Sequence, residues 1–195
     1  MRMTPERKEA ARQAILNAAA RQFRLAGQAG MGVDAIAREV GQTSGAFYAH
    51  FGSKAEVFLG VIAGGLRRLM AGVEQAGCSG RRGWAVEFAA HYLSRAHRDR
   101  VADGCLLPAL SPDVARAGAA ARALFANDLT AVAAALAPGC DAPDPEAALD
   151  RAYAVLALCA GGVMLSRALP DGPEAERVLA ACRAATACVA GRPAA

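Results

Sequence analysis

The chain has 195 residues, enough for one domain or two small ones, and at 54% hydrophobic but only 5% aromatic it must pack mainly alanine and leucine. Its six cysteines form no CxxC pair and no His/Cys spacing suited to zinc, the N-terminus has no apolar signal core, and charges interrupt the apolar stretches. A cytoplasmic protein with free thiols and no metal, cofactor or membrane span is therefore expected. The net charge is +4, and residues 1–54 account for it with eight basic groups against four acids, which favours a polyanionic partner over a merely solvated face.

Thr4-Pro5-Glu6 opens the first helix with a cap, a proline at the first helical position and an acid in the first turn. That helix is expected from about Pro5 to Ala26, with Ile15, Leu16, Ala19 and Phe23 on one face. Asp34 to Val40 follows as a short helix with Ile36, Ala37 and Val40 inward, and Gly41 turns the chain. Thr43 caps a two-turn helix from Ser44 to His50. Ser53-Lys54-Ala55-Glu56 is a capping box opening a long helix that reaches Glu74 or Ala76. Gly77 to Gly83 reads as a linker, Trp84 to His97 as a helix, and residues 98–110 as a charged loop followed by a short apolar turn. Ser111-Pro112-Asp113 marks a further helix start, running to about Leu136 with a break near Gly118. The last two helices are expected over Pro145–Ala168 and Pro173–Val189. The fold class is all-α, because alanine-rich runs favour helix and no alternating stretch is long enough for a strand.

Two short helices joined by a tight glycine turn make a helix-turn-helix. Ile36-Ala37, Gly41, Thr43, Gly45, Phe47-Tyr48, His50-Phe51 and Lys54 resemble the DNA-binding signature of the TetR family of bacterial transcriptional regulators. The resemblance covers roughly residues 7 to 60. It implies a DNA-binding domain over 1–53 and a helical domain for ligand binding and dimerisation over 54–195. The second short helix would then lie in the major groove of a double-stranded operator. Gln42, Thr43, Ser44 and Ala46 would face base edges, and Gly45 would let the backbone approach. Tyr48, His50 and Lys54 would hold phosphates, which set register where base contacts set specificity. The chain departs from the family at three places. Met31-Gly32-Val33 stands where Thr or Ser is common, Gln42 replaces a valine in the turn, and Ser44 stands where a basic residue is frequent.

The last two helices are apolar nearly all round and need burial on more than one side. Leu158, Gly161, Gly162, Leu165, Leu179 and Cys182 are expected at a homodimer interface, with the glycines permitting close approach; the resemblance implies a two-fold four-helix bundle. Trp84, Phe88, His91, Tyr92, Cys105, Phe125, Tyr153 and Met164 are the candidates to line a small-molecule cavity between helices. Cys105 follows Gly104 in a turn similar to one in thiol-sensing members of the family, and Arg95, His97, Arg98 and Arg100 precede it as cations that would lower a thiol pKa. The expected function is a repressor released from an inverted repeat by a small-molecule effector. The alternative is a redox or electrophile sensor acting through Cys105, and the chain lacks the paired carboxylates or nucleophile motifs of an enzyme.

Overall fold

The computed structural model describes residues 4–191, all of whose regular elements are helical. Ten α-helices follow in order: α1 (Pro5–Gly30), α2 (Val33–Glu39), α3 (Ser44–His50), α4 (Lys54–Gly77), α5 (Trp84–Tyr92), α6 (Arg95–Asp99), α7 (Leu107–Arg116), α8 (Ala119–Leu136), α9 (Pro145–Ala168) and α10 (Pro173–Ala190). A single 3-10 turn, Ala137–Gly139, closes α8.

Helix boundaries follow local chemistry. Thr4 Oγ1 accepts from Arg7 N at 3.4 Å and Asp144 Oδ1 from Ala147 N at 2.8 Å, so two of the proline-led starts are capped by side chains. The regular part of α1 ends where expected, because Gly27 adopts φ 74 and kinks the helix before Gly30. Ser53 caps α4 by accepting from Glu56 N, but the Glu56 carboxylate reaches Gly52 N at 2.8 Å, one residue before the cap donor that a standard box would satisfy.

Two expectations need correction. The segment Trp84–His97 is not one helix: α5 stops at Tyr92, and Ser94 caps α6 by accepting from His97 N at 3.2 Å. Pro112 does not start a helix but lies inside α7, which begins at Leu107 with Pro108 in its first turn. Pro108 and Pro112 are both compatible with a first turn; the buried Leu106, Leu107 and Leu110 decide for the earlier start.

A continuous core runs through the chain. Ile15, Phe23, Ile36, Phe47 and Phe51 are fully buried between α1, α2 and α3, each such side chain contributing about 1.5–3 kcal/mol by burial. Phe23 meets Phe58 of α4 edge to face at 5.8 Å, which carries the core into the second half. There α4 packs along α8, and α9 along α10.

Arginines from distant helices tie the loops through main-chain carbonyls. Arg24 of α1 donates to Ala102 O at 3.0 Å, Arg167 of α9 to Arg98 O at 2.7 Å, and Arg183 of α10 to Leu93 O at 2.6 Å. Arg151 similarly reaches Asp141 O. These carbonyls lie at helix ends or in loops, where helical partners run out and a cation is favoured.

Candidate nucleic-acid interface and internal cleft

The turn between α2 and α3 is built by Gly41 at φ 66, with Gln42 N returning to Ala37 O at 2.9 Å. Phe47 and Phe51 point inward and fix the roll of α3; Thr43, Gly45 and Tyr48 are exposed, and Gln42, Ser44, Ala46, His50 and Lys54 are partly so. Tyr48 is 54% exposed with its ring edge braced on Phe47 at 5.5 Å, leaving the hydroxyl outward. Lys54 opens α4 with its ammonium 6.0 Å from the Phe23 ring centroid. The Thr43 oxygen accepts from Ala46 N at 3.2 Å, so the cap occupies the same atom that was expected to face a base. Ser44 is tied back instead, its hydroxyl donating to the Asp34 carboxylate of α2. Gln42 Oε1 and His50 Nδ1 are enclosed without a hydrogen-bond partner, which leaves two polar atoms on this surface unsatisfied.

A cleft of about 200 Å³ lies between α4, α5 and the loop 100–105. Phe88, His91, Tyr92 and Cys105, four of the residues expected to line a cavity, come together there with Gly65, Arg68, Leu69 and Gly72 of α4. The other four do not join them. Trp84 is buried at the far end of α5 against Gly139, Tyr153 donates to Thr130 Oγ1 at 3.1 Å, Phe125 is half-buried on α8, and Met164 is 45% exposed on α9.

The Tyr92 hydroxyl is buried and has no conventional hydrogen-bond partner, although the Cys105 thiol lies beside it. His97 fastens the loop: Nδ1–H donates to Tyr92 O at 2.6 Å, and Nε2 accepts from Cys105 N at 3.4 Å. Burial lowers the His97 pKa, which keeps the neutral tautomer that these two bonds require. Gly104 is demanded by space, since a Cβ there would lie 2.3 Å from the Arg100 carbonyl.

The electrostatics of Cys105 differ from expectation. Burial pushes the thiol pKa up, and the cations that partly oppose this are Arg24 and Arg167. Arg95 and Arg98 are engaged elsewhere, Arg98 with Asp99 at 2.7 Å and Asp171 at 2.6 Å. Cys159 is buried, whereas Cys188 is exposed on α10.

Residues 15–61, which span α2, α3 and the parts of α1 and α4 that enclose them, match the family model described as bacterial regulatory proteins, tetR family. Similar solved structures extend over nearly the whole fold. The Escherichia coli NemR reduced form is 18% identical with a TM-score of 0.74, covering 95% of this chain and 100% of that one. A TetR-family transcriptional regulator from Cytophaga hutchinsonii is 17% identical with a TM-score of 0.75, covering 95% and 97%. Residues 15–61 carry the tetR-family regulatory region, and the whole chain has the fold of these regulators. A Bacillus subtilis FadR in complex with stearoyl-CoA shares the fold of this chain at 12% identity and TM-score 0.60, covering 89% of this chain and 96% of that one. No curated protein matches it in sequence.

The outer face of α9 is apolar and open. Leu165 is 55% exposed, Leu158 is half-buried, and a Cβ on Gly161 would meet nothing within 4 Å. Gly162, Leu179 and Cys182 are used inside the protomer instead. A Cβ on Gly162 would lie 2.7 Å from Leu93 and 2.9 Å from Cys182 Sγ, and Leu179 is fully buried. Sequence reading missed Arg24, Arg68 and Gly72, and took His97 for a cation where it is a neutral fastening of the loop. A glycine in mid-helix is visible in the sequence, but the burial of Arg24 is not, and nothing in the sequence brings these residues to one place.

Proposed function

We propose that this TetR-family regulator is a homodimeric repressor: two copies of α3 read an inverted-repeat operator in the cytoplasm, and a small molecule in the cleft releases it. The observation that carries the effector part is the loop 100–105. Its residues line the cleft, while Arg21 of α1 pairs with Asp103 and Arg24 of α1 holds Ala102 O. A ligand that shifts this loop thereby bears on the helix that backs the reader, and it acts only if it prefers one loop position over the other. The exposed apolar strip of α9 supports dimerisation, since such strips mark interfaces. The N-terminal excess of positive charge supports the DNA contact.

The test is selection of sites from random DNA, followed by titration of the selected duplex with and without candidate effectors. An enriched inverted repeat bound by a dimer is expected; a single non-repeated site bound by a monomer refutes the proposal. The alternative, oxidation of Cys105, is favoured by the thiol's place on the cleft beside Tyr92 and disfavoured by the burial that suppresses its thiolate. Peroxide that releases wild type but not Cys105→Ser would establish it, and equal sensitivity would dismiss it.

A further inference from the structure

The cleft has a chemical preference that its lining makes explicit. Two permanent cations line it, Arg68 and Arg100, against the single acid Asp103, with His91, the neutral His97 and Cys105 beside them. Asp103 is already engaged by Arg21. Arg68 and Arg100 make no ion pair among the described residues. Behind them lies Arg24, 6% exposed, with its Nε and Nη2 unpartnered and its charge opposed by those of Arg68 and Arg167. A buried guanidinium with two unused donors, in a site where cations outnumber anions, lacks its counter-charge. The buried Tyr92 hydroxyl, with only the weakly accepting Cys105 sulfur beside it, is a second donor without an oxygen or nitrogen acceptor, in a residue that lines the cleft. Beside these polar groups stand Leu69, Phe88 and the bare backbone of Gly65 and Gly72.

We infer that the cleft takes a small organic carboxylate, its anion toward Arg68, Arg100 and the Tyr92 hydroxyl and its apolar body against Phe88 and Leu69. This rests on the reading of the cleft as the effector site and names the effector's class. At about 200 Å³ the space is below the ~300–1,000 Å³ typical of drug-sized ligands, so the body is one ring or a short chain. Arg24 is not a contact; its buried, only partly screened charge makes the site prefer an anion.

The probe is benzoate, compared with benzamide, benzylamine and inorganic phosphate by calorimetric titration and by release of the selected operator duplex. Benzoate binds and releases DNA, whereas the neutral, cationic and purely inorganic probes bind at least about tenfold more weakly. Arg68→Met weakens benzoate roughly tenfold or more, as loss of a charge-assisted bond does, and Tyr92→Phe weakens it about three- to tenfold. Gly72→Leu fills the cleft, since a Cβ at Gly72 meets nothing within 4 Å, and abolishes benzoate binding in a protein whose melting confirms its fold. Benzamide or benzylamine binding as tightly as benzoate, blocked by Gly72→Leu, overturns the anion assignment and leaves the effector cleft standing. Benzoate binding undiminished by Gly72→Leu overturns the cleft itself. No binding of benzoate at millimolar concentration overturns the inference, as does phosphate matching benzoate, because the apolar wall would then contribute nothing.

Discussion

Replacing Arg24 by methionine should disconnect the loop 100–105 from α1 while changing stability little. The arginine donates from one nitrogen to Ala20 O and Ala102 O, each at 3.0 Å. Bonds from a charged donor contribute ~1.5–3 kcal/mol each, but Ala20 O already lies within a helix and gains little from the second donor. Against them stands the burial of a guanidinium whose pKa is lowered to about 10, first by desolvation and then by the charge of Arg68. At about 1.4 kcal/mol per tenfold change this opposes folding by on the order of 3 kcal/mol, reduced to roughly half because water screens part of the group. The terms nearly offset, and methionine fills the same channel without a charge, so stability should stay within about 1–2 kcal/mol of wild type. That is a melting shift of a few degrees for a chain of this size. Coupling behaves differently. Effector and DNA sites in switching proteins are commonly coupled by ~1–3 kcal/mol, or 5- to 150-fold. Without the Arg24 tether this should fall below about threefold, read as operator affinity by fluorescence anisotropy with and without the releasing probe. Full coupling in Arg24→Met would refute the loop as the link, and a loss above about 4 kcal/mol would show that Arg24 is a structural keystone instead.

Lys54→Ala should weaken specific and random duplexes about equally and flatten the salt dependence by roughly one unit of slope, whereas an unchanged slope would remove Lys54 from the phosphate contacts. Thr43→Ala should lose ~1 kcal/mol of stability, because its oxygen caps Ala46 N, so melting must accompany any binding loss; a melting temperature equal to wild type would deny the cap. Leu165→Asp, on the exposed strip of α9, should shift sedimentation toward monomer without disturbing the protomer, and an intact tight dimer would place the interface elsewhere. His97 is held below its ordinary pKa and is neutral when folded, so its contribution is present above the ordinary value of 6.5 and lost as pH falls through it. Melting should therefore fall more between pH 7.5 and 5.5 in wild type than in His97→Gln, and parallel curves would show that His97 protonation is irrelevant.

Local signals in the sequence carried the N-terminal half because each boundary there depends on neighbours in the chain. Thr43 caps within its own turn and Gly41 takes the left-handed conformation that ends α2. Phe47 and Phe51 also faced inward by spacing alone. The second half depends on longer reach. Pro108 and Pro112 offered competing starts, and only the burial of Leu107 and Leu110 against other helices chose between them. Ser94 caps α6 because α5 ends at Tyr92, a break that the apolar run before it does not signal. Gly162 permits close approach by any helix, and the neighbour that takes the space is α10 with Leu93, so the same residue type served a different contact. Trp84 and Phe88 share one helix face by spacing, yet one abuts Gly139 and the other the cleft, a distinction made by what packs opposite.

The arginine ties to Ala102, Arg98 and Leu93 end on carbonyl oxygens, which every residue type supplies. Nothing about the receiving side chain is therefore specified. As far as these bonds go, residues at the accepting positions can be exchanged while the donors cannot, so paired substitutions across these joints are not required. A search for correlated changes would pass over the very joints that hold the loops of the cleft, and a scan of single arginine replacements would find them.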